Sequence, residues 1–467
     1  MKLYNTSSRQ IEEFKPLIPP NIGLYVCGPT VYDYTHIGHM RTYANIDLLR
    51  RTLIFFGYKV KEVMNTTDVG HLSGDDDSGE DKLEKGSKKA GKTVWEVAKF
   101  FTDYFFKTTD SLNIERPDIV APATKHIEEM ISLIKKLQEK GFTYETKEAI
   151  YFDISKFAPY GKLSGQKLDE KIKGARVEVN SDPDKKHPAD FALWFKRVGR
   201  FADHTMHWPS PWGEGFPGWH IECSAMSMKY LGETLDIHTG GIDHIPVHHE
   251  NEIAQSEAAT GKTFVRYWFH NNFLMVEGQK MSKSLGNFYT LEDLVKHNID
   301  PMSVRYLFLQ SHYRQVTNFT WESAKAAQDG FSKLKNIVID LKKIPKSQDT
   351  IDKSDDEADK FKEKFKSEVG DDLQIPQALA TTWEMLKSEI SPQNKLNLIF
   401  YFDRIFGLNL DKVVEEVFPE QIVKLAEQRK MARQNKNFKA SDDLRTQIEK
   451  LGYKIEDDGT NYKIKKS

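Results

Sequence analysis

The amino-acid sequence predicts an α/β fold, in which a parallel sheet with an insertion is followed by a helical region and a small C-terminal α+β unit. The apolar run 22–27 ends at Gly28-Pro29, a pattern typical of a buried strand followed by a turn. Apolar positions at helical spacing follow over 38–56, and 58–65 has the pattern of a second strand. Strands joined by a crossover helix lie parallel, and such a sheet binds ligands at the carboxyl ends of its strands.

The middle of the chain shows helices, an insertion and a return of the sheet pattern. Residues 73–92 are rich in Gly, Ser, Asp and Lys and predict a mobile, solvated loop. Helical patterns follow over 93–112 and 123–140. The strand-like segment 150–154 lies among turns and charges, which indicates an insertion between two halves of the sheet. Strand and helix signals return over 219–260.

Beyond residue 291 the pattern is mostly helical. A linker is predicted at 345–356 and a further helical stretch at 357–406. The last unit is predicted as a helix capped by Ser441, followed by two short strands around Gly459. A one-faced apolar stripe, typical of core packing, consists of Phe331, Leu334, Val338 and Leu341.

Composition excludes several classes of protein. Hydrophobic residues make up 39% of the 467 residues and charged residues 29%, as in a globular protein of about three domains. No apolar run of about 18 residues occurs, so we expect no membrane span, and the first residues lack the pattern of a secretory signal. The formal net charge of -2 gives no global sign of nucleic-acid binding. The two cysteines, Cys27 and Cys223, exclude a disulfide scaffold and favour a cytoplasmic protein.

Two polar motifs are candidates for phosphate binding. His36-Ile37-Gly38-His39 lies where the first helix begins, and a helix N-terminus offers N–H donors and partial positive charge to a phosphate. Gly38 lets a flat base approach the backbone. Lys280-Met281-Ser282-Lys283-Ser284 offers ammonium and hydroxyl groups that suit a polyphosphate. Each motif alone has an ordinary alternative, since paired histidines are common and a lysine-rich loop is usually solvated.

The two motifs stand in this order, 241 residues apart (280 minus 39), and together they resemble the ATP-binding motifs of class I aminoacyl-tRNA synthetases. The resemblance implies a Rossmann-like catalytic domain. It implies that ATP, with Mg2+ bridging its phosphates, is bound by His36, Gly38, His39, Lys280, Ser282 and Lys283. The catalytic residues it implies are His36, His39, Lys280 and Lys283, with the histidines acting as hydrogen-bond donors rather than proton shuttles.

Two cysteines, a histidine and a glutamate form a candidate metal site. His248 and Glu252 are four residues apart on a predicted helix, so they share one face. With Cys27 and Cys223 they offer two thiolates, an imidazole and a carboxylate, which suit a tetrahedral zinc ion. The other interpretations are two separate buried thiols, a surface His–Glu pair, and a disulfide, which a cytosolic location disfavours.

The whole constellation closely resembles the cysteinyl-tRNA synthetase family, nearly from end to end. The matching stretches are 24–33, Thr67-Asp68, Trp194, 218–223 and 248–252. The resemblance implies one Zn2+ per chain, which takes the thiolate of substrate L-cysteine and is held by Cys27, Cys223, His248 and Glu252. The substrate-binding residues it implies are Gly28, Thr67 and Trp219. The sequence departs from the family at His244, at Pro246-Val247 and at Asn272.

Zinc would explain the choice of amino acid in such a family. Serine differs from cysteine by one atom, and shape alone discriminates by only about 1–3 kcal/mol for a difference of this size. Zinc prefers a soft thiolate to a hydroxyl, and coordination lowers the pKa of the thiol. We therefore expect the metal to recognise the substrate and no separate editing domain to be needed.

The resemblance also implies a tRNA partner and a domain order. Residues 420–467 hold 12 Lys or Arg and 8 Asp or Glu, a local charge of +4. They resemble the anticodon-reading domain of the family, with Phe438 and Arg445 as candidate tRNA contacts, although a plain solvated helix face is the alternative. The predicted domains are the first half of the catalytic domain (1–140), a connective insertion (141–205), the second catalytic half (206–270), a stem-contact region with the lysine-rich loop (271–320), a helical bundle (321–415) and the anticodon-binding domain (416–467).

The function implied is that of a monomeric ligase that makes cysteinyl-adenylate from L-cysteine and ATP and passes cysteine to tRNA(Cys). One alternative is a relative that joins cysteine to an amino-sugar, which should lack the C-terminal unit. Another is a non-catalytic zinc- and RNA-binding paralogue, which would have no use for the histidine pair and the lysine-rich loop.

Overall fold

The structure, a computed structural model, describes residues 1–70, 72, 81–166, 182–282, 285–345, 355–415, 418–458 and 461–466. The chain forms two compact units, Met1–Asp411 and Lys412–Ser467. None of the helices within the described ranges combines the length and the apolar character that crossing a membrane requires.

The first unit begins with a hairpin and an α/β layer. These elements are β1 (Lys2–Asn5), β2 (Gln10–Glu13), β3 (Asn21–Val26), α1 (Ile37–Phe55), β4 (Lys59–Thr66), α2 (Lys82–Ala90), α3 (Val94–Ser111), β5 (Ile119–Pro122) and α4 (Ile127–Glu139). An antiparallel sheet interrupts this layer and contains β6 (Thr143–Glu145), β7 (Ala149–Phe152), β8 (Phe191–Lys196) and β9 (Gly215–Pro217). The layer resumes with α5 (Trp219–Leu231), β10 (Leu235–Gly241), α6 (Glu250–Thr260) and β11 (Val265–Asn271).

The central sheet is parallel and has the strand order β11-β10-β3-β4-β5. The order reverses between β3 and β10, because the chain moves outward through β4 and β5 and then returns to the other side of β3. The crevice of a doubly wound sheet lies at this switch point, beyond the carboxyl ends of the strands. Helix α1 crosses from β3 to β4 and buries Ile37, Met40, Leu49 and Leu53. The carboxyl ends of β3, β4 and β10 therefore define where a site can form.

A small sheet and a set of helices complete the first unit. The elements of the small sheet and its surroundings are β12 (Leu274–Val276), β13 (Gln279–Lys280), α7 (Leu291–Lys296), α8 (Pro301–Leu309) and β14 (Thr317–Phe319). The helices are α9 (Trp321–Lys343), α10 (Asp355–Gly370), α11 (Ile375–Lys387) and α12 (Pro392–Phe406). Strand β12 pairs antiparallel with β13 and parallel with β14, so this sheet presents the lysine-rich loop, which begins in β13.

The second unit consists of two helices and a hairpin: α13 (Glu420–Gln434), α14 (Phe438–Lys450), β15 (Tyr453–Asp458) and β16 (Asn461–Lys466). Its small core contains Ala426, Ile448 and Ile455, with Tyr453 and Tyr462 packed against them.

Two sequence-based expectations about local structure are wrong, those for residues 82–90 and for the cap of the last helix. Residues 82–90 are a helix rather than a loop, because the Asp81 side chain caps the helix by accepting from the N–H of Glu84. The stretch 357–406 is helical, as predicted, and is divided into three helices. Helix α14 begins at Phe438 and is capped by Asn437, so Ser441 lies inside the helix. Residues 73–80 and 346–354, parts of the predicted loop and linker, lie outside the described residues.

Candidate active site

Three of the four candidate metal ligands, Cys27, Cys223 and His248, meet at the carboxyl edge of the central sheet, and the fourth, Glu252, contacts His248. Cys27 directly follows β3, Cys223 lies in α5, and Glu252 lies in the first turn of α6. His248 lies in the turn Ile245–His249 that leads into α6, and it therefore stands one turn before Glu252. All four side chains are buried.

The distances within this group suit a metal ion. The ligand atoms of Cys27, Cys223 and His248 all lie within 4.8 Å of one another. Cys27 Sγ is 3.7 Å from His248 Nε2, and the same nitrogen is 3.0 Å from Glu252 Oε1. Two thiols, an imidazole and a carboxylate are a donor set that zinc prefers. The residues present therefore fit the predicted Zn2+.

Charges inside the buried cluster balance one another. A hydrogen bond from Cys223, helped by nearby imidazoles, outweighs burial and holds the pKa of Cys27 well below its usual value. Burial lowers the pKa of His248, but Glu252 and Cys27 outweigh it and raise the pKa to about 10. Burial raises the pKa of Glu252, but His238 and His248 outweigh it and lower the pKa to about 2. The cluster thus pairs the anionic forms of Cys27 and Glu252 with a protonated His248, whereas burial raises the pKa of the Cys223 thiol well above its usual value. Binding of a cation by His248 and Cys223 would release their protons.

A second layer of side chains orients these ligands. His238 Nε2 lies 2.8 Å from Glu252 Oε2, and the Nδ1 atoms of His220 and His248 lie 2.9 Å apart. The ring of Trp219, a predicted substrate-binding residue, stacks on His248 with centroids 4.2 Å apart. Sequence reasoning did not single out His220 or His238. The sequence did contain a signal for both residues. Each histidine lies inside a segment that is otherwise buried, and a buried imidazole requires a polar partner.

His244, which departs from the family pattern, also lies in this cluster. Its ring forms a group with Cys27 and His249 whose ligand atoms lie within 4.8 Å of one another, and a third such group joins His238, His249 and Glu252. The structure therefore contains overlapping donor sets around Cys27.

The predicted substrate residues Gly28 and Thr67 lie beside the cluster. Gly28 directly follows Cys27, and a Cβ at this position would stand 1.6 Å from the carbonyl oxygen of Asn65, so only glycine fits. The N–H of Gly28 donates to Asn65 Oδ1 at 2.7 Å. Thr67 Oγ1 donates to the buried Glu222 Oε2 at 2.7 Å. This network fixes the backbone around Gly28 and Thr67 beside Cys27.

The histidine pair stands at the start of α1. The rings of His36 and His39 stack with centroids 3.7 Å apart. His36 Nδ1 accepts from the N–H groups of Gly38 and His39, at 3.1 and 3.2 Å, so these helix-end donors are already used. Burial lowers the pKa of His39 to about 4, and its ring is therefore neutral near pH 7. A phosphate would meet imidazole N–H groups here rather than these backbone N–H groups.

The lysine-rich loop approaches the same helix end. A Cβ on Gly38 would lie 2.9 Å from Met281 Cε. Lys280 is exposed, with its ammonium 5.6 Å from the centre of the Phe273 ring. The N–H of Ser282 donates to Asn287 Oδ1 at 2.7 Å. Lys283 lies outside the described residues.

Comparison with known proteins identifies the family. A family model described as the tRNA synthetases class I (C) catalytic domain matches residues 13–329. The chain is 44% identical to a cysteine–tRNA ligase of Treponema denticola over 485 residues, which cover 98% of each chain. The chain belongs to the cysteine–tRNA ligase family. A relative of the same name from Thermus thermophilus is 41% identical over 97% of each chain. The predicted family resemblance is confirmed.

Solved structures of other class I synthetases share the fold of this family member. A methionyl-tRNA synthetase of Mycobacterium tuberculosis, in complex with methionyl-adenylate, matches with a TM-score of 0.57 and 16% identity, covering 83% of this chain and 88% of that chain. A LeuRS–tRNA–LeuAMS ternary complex of Agrobacterium radiobacter matches with a TM-score of 0.59 and 12% identity, covering 86% and 85%. The predicted α/β fold class is confirmed.

In the C-terminal unit of this family member, the two predicted tRNA contacts lie on α14. Phe438 is 62% exposed at the start of the helix, as a base-stacking residue requires. Arg445 Nε lies 3.5 Å from Glu449 Oε1, one turn later on the same helix, in an exposed ion pair. Both side chains are thus available at the surface of their own unit.

Proposed function

We propose that the chain is a cysteine–tRNA ligase, which activates L-cysteine with ATP and transfers it to tRNA(Cys). The observation that carries this proposal is the meeting of Cys27, Cys223 and His248 within 4.8 Å of one another at the switch point of the sheet. Membership of a family whose relatives bear this name supports it.

One Zn2+ per chain would be held by Cys27, Cys223, His248 and Glu252. Zinc bound there supplies a soft Lewis acid that favours the sulfur of cysteine over the oxygen of serine. Around it, the protein binds and orients the amino acid through a wall of fixed polar groups. Gly28 allows the close packing of this backbone against the Asn65 carbonyl beside Cys27, and Thr67 and Trp219 would contact the amino acid.

Adenylate formation needs alignment rather than a general base. The carboxylate of cysteine is ionised at neutral pH and attacks the α-phosphorus of ATP, and pyrophosphate leaves with the electron pair of the broken P–O bond. The neutral ring of His39, with His36, donates hydrogen bonds to phosphate oxygens. Lys280 and Lys283, with Mg2+, would neutralise the charge that develops on the triphosphate, and the Ser282 hydroxyl would donate a hydrogen bond to it.

The remaining parts of the chain would act in the transfer of cysteine to tRNA. Residues 416–467 would read the anticodon, with Phe438 stacking on a base and Arg445 contacting the RNA. The bundle 321–415 and the region 271–320 would follow the tRNA towards its acceptor end, and the insertion 141–205 would connect the catalytic halves 1–140 and 206–270. We assign the protein to the cytoplasm as a monomer, in keeping with its two free thiols.

The decisive experiment is cysteine-dependent exchange of pyrophosphate into ATP, with zinc content measured by elemental analysis. We expect exchange with cysteine and none with serine, and about one zinc per chain. Folded, zinc-loaded protein without exchange would contradict the enzyme assignment, whereas full activity without metal would contradict the zinc role.

A matched pair of variants tests the metal site. Cys223→Ser removes a thiol ligand and should lose zinc together with the preference for cysteine. Ser227→Ala changes a buried side chain four residues later on α5, whose hydroxyl donates to the Ser224 carbonyl oxygen at 3.2 Å, and should keep both. Charging of tRNA(Cys), measured beside charging of an amino-sugar acceptor, separates the ligase from the alternative that joins cysteine to a sugar.

A further inference from the structure

A buried arginine on the histidine-bearing helix holds two separate stretches of backbone. Arg41 lies in α1, two residues after the second histidine of the pair, and is 1% exposed. Its Nη1 donates to the carbonyl oxygens of Asn272 at 2.6 Å and Phe273 at 3.4 Å. Its Nη2 donates to the carbonyl oxygens of His312 at 3.2 Å and Gln315 at 2.8 Å. One side chain thus joins α1 to two loops more than 230 residues away in sequence.

This charge is surrounded by neutral groups. Burial lowers the pKa of Arg41 to about 10, and no charged partner among the described residues counters that effect. The guanidinium remains charged at neutral pH although burying it costs free energy. A planar fork of five N–H donors can hold all four of these carbonyl groups at once, whereas a lysine ammonium offers three donors and a side-chain amide two. The need to hold these two stretches of backbone together therefore explains why an arginine is buried at this position.

Both stretches lead into the small sheet that presents the lysine-rich loop. Asn272 and Phe273 directly precede β12, which pairs with β13 and thereby with Lys280. Residues 312–315 lead into β14, which pairs in parallel with β12. Asn272 Nδ2 also donates to the carbonyl oxygen of Arg314 at 2.8 Å, which ties the two stretches together. Arg41 therefore fixes the base of this sheet against α1.

The chain that follows the loop is tied to α1 as well. The N–H of Ile37 donates to the carbonyl oxygen of Tyr289 at 2.9 Å. The ring of His36 lies 4.8 Å from that of Phe288. These contacts come after the lysine-rich loop in sequence, whereas those of Arg41 with Asn272 and Phe273 come before it. The described chain before the loop, at Asn272 and Phe273, and after it, at Phe288 and Tyr289, is therefore held to the histidine-bearing helix.

We propose that Arg41 is a positioning residue for adenylate formation, which sets the spacing between the histidine pair and the lysine-rich loop so that both reach the same triphosphate. This inference rests on the proposed function. Arg41 acts only through the backbone it holds. Because a displacement of about 1 Å can cost on the order of 100-fold in rate, a tether of this kind affects catalysis without touching substrate.

The test compares Arg41→Gln and Arg41→Lys with Arg305→Lys. Arg305 is an equally buried guanidinium that also donates to backbone carbonyls, those of Phe406 at 2.7 Å and Leu112 at 3.0 Å, which lie outside the small sheet. For each full-length variant, cysteine-dependent pyrophosphate exchange is measured at varied ATP and at varied cysteine. Thermal melting by circular dichroism and hydrogen exchange of the peptides from 272–282 are recorded in parallel.

We expect Arg41→Gln to lower kcat on the order of 100-fold and to raise the KM for ATP, while the KM for cysteine stays within about twofold. Arg41→Lys should recover part of kcat, and the 272–282 peptides should exchange faster in both variants. Arg305→Lys should melt at a lower temperature with an unchanged KM for ATP.

Three results would overturn the inference: a lower melting temperature with wild-type kinetics in the Arg41 variants, an equal rise of both KM values, or the same kinetic change in Arg305→Lys. If Arg41→Gln does not fold, Arg41→Lys decides between these outcomes. Absence of exchange in the wild-type protein contradicts the proposed function itself, and it is measured before any variant.

Discussion

Replacing His238 by phenylalanine removes one hydrogen bond from the proposed zinc ligand Glu252 and keeps the packing. His238 Nε2 lies 2.8 Å from Glu252 Oε2, and both side chains are 0% exposed. The imidazole stacks on Trp268 with centroids 4.6 Å apart and meets Tyr25 edge-on at 5.0 Å. A phenyl ring can preserve both contacts. The change therefore removes the hydrogen bond that orients the carboxylate, together with the longer contact of His238 Nδ1 with the Thr239 carbonyl oxygen at 3.3 Å.

A hydrogen bond to a charged group contributes about 1.5–3 kcal/mol, which corresponds to a factor of about 10–100 in affinity. Residues that orient metal ligands have effects of the same size. We expect His238→Phe to bind zinc about 10–100-fold more weakly in competition with a chromophoric chelator at fixed pH. The matched control is His126→Phe, since His126 Nε2 contacts the Tyr230 hydroxyl at 2.7 Å, outside the metal cluster. Zinc affinity within about twofold of wild type, in a variant that melts normally, would refute the reasoning.

Three further predictions concern stability, domains and pH. Asp47→Asn should destabilise the protein by about 3–5 kcal/mol in urea unfolding, because buried Asp47 accepts from Arg305 at 2.5 Å and Arg51 at 2.7 Å; a loss below about 1 kcal/mol would contradict a buried ion pair. A chain ending at Asp411, the limit of the first unit, should keep cysteine-dependent pyrophosphate exchange and lose most tRNA charging; equal loss of both would contradict separate roles. Because the pKa of His39 is lowered to about 4, the ring gains its proton only well below pH 6. The KM for ATP should thus be flat between about pH 6 and 8, and a titration in this range that disappears in His39→Asn would show a protonated ring.

The sequence predicts the bounds of a strand or helix well where a glycine or proline interrupts the apolar pattern at its end. Strand β3 and helix α1 are predicted within one residue at each end, because Gly28-Pro29 and Gly57 interrupt the apolar pattern. The helix 82–90 escapes prediction because its polar composition resembles a loop, whereas burial of Leu83 against α3 stabilises it. At α14, Asn437 and Ser441 both suit an N-cap, and only the tertiary packing that buries Ser441 decides between them.

The residues of the candidate site also divide into those that the sequence could predict and those that it could not. Cys27, Cys223, His248 and Glu252 could be predicted because few residue types bind zinc and their positions match a family pattern. The roles of His220, His238 and Arg41 could not. Their partners lie on elements far away in sequence, and a single buried histidine or arginine has no local pattern that reveals what it contacts. Such residues are found only once the fold has placed both partners.

The strand order of the central sheet has a consequence for synthesis of the chain. Cys27 is made early, whereas Glu252 follows 225 residues later (252 minus 27). At about 5–20 residues per second, a nascent chain carries Cys27 for about 10–45 s before the last donor exists. During that interval the proposed zinc site lacks at least one of Cys223, His248 and Glu252. Acquisition of the metal would thus report that both halves of the catalytic domain have been translated and assembled.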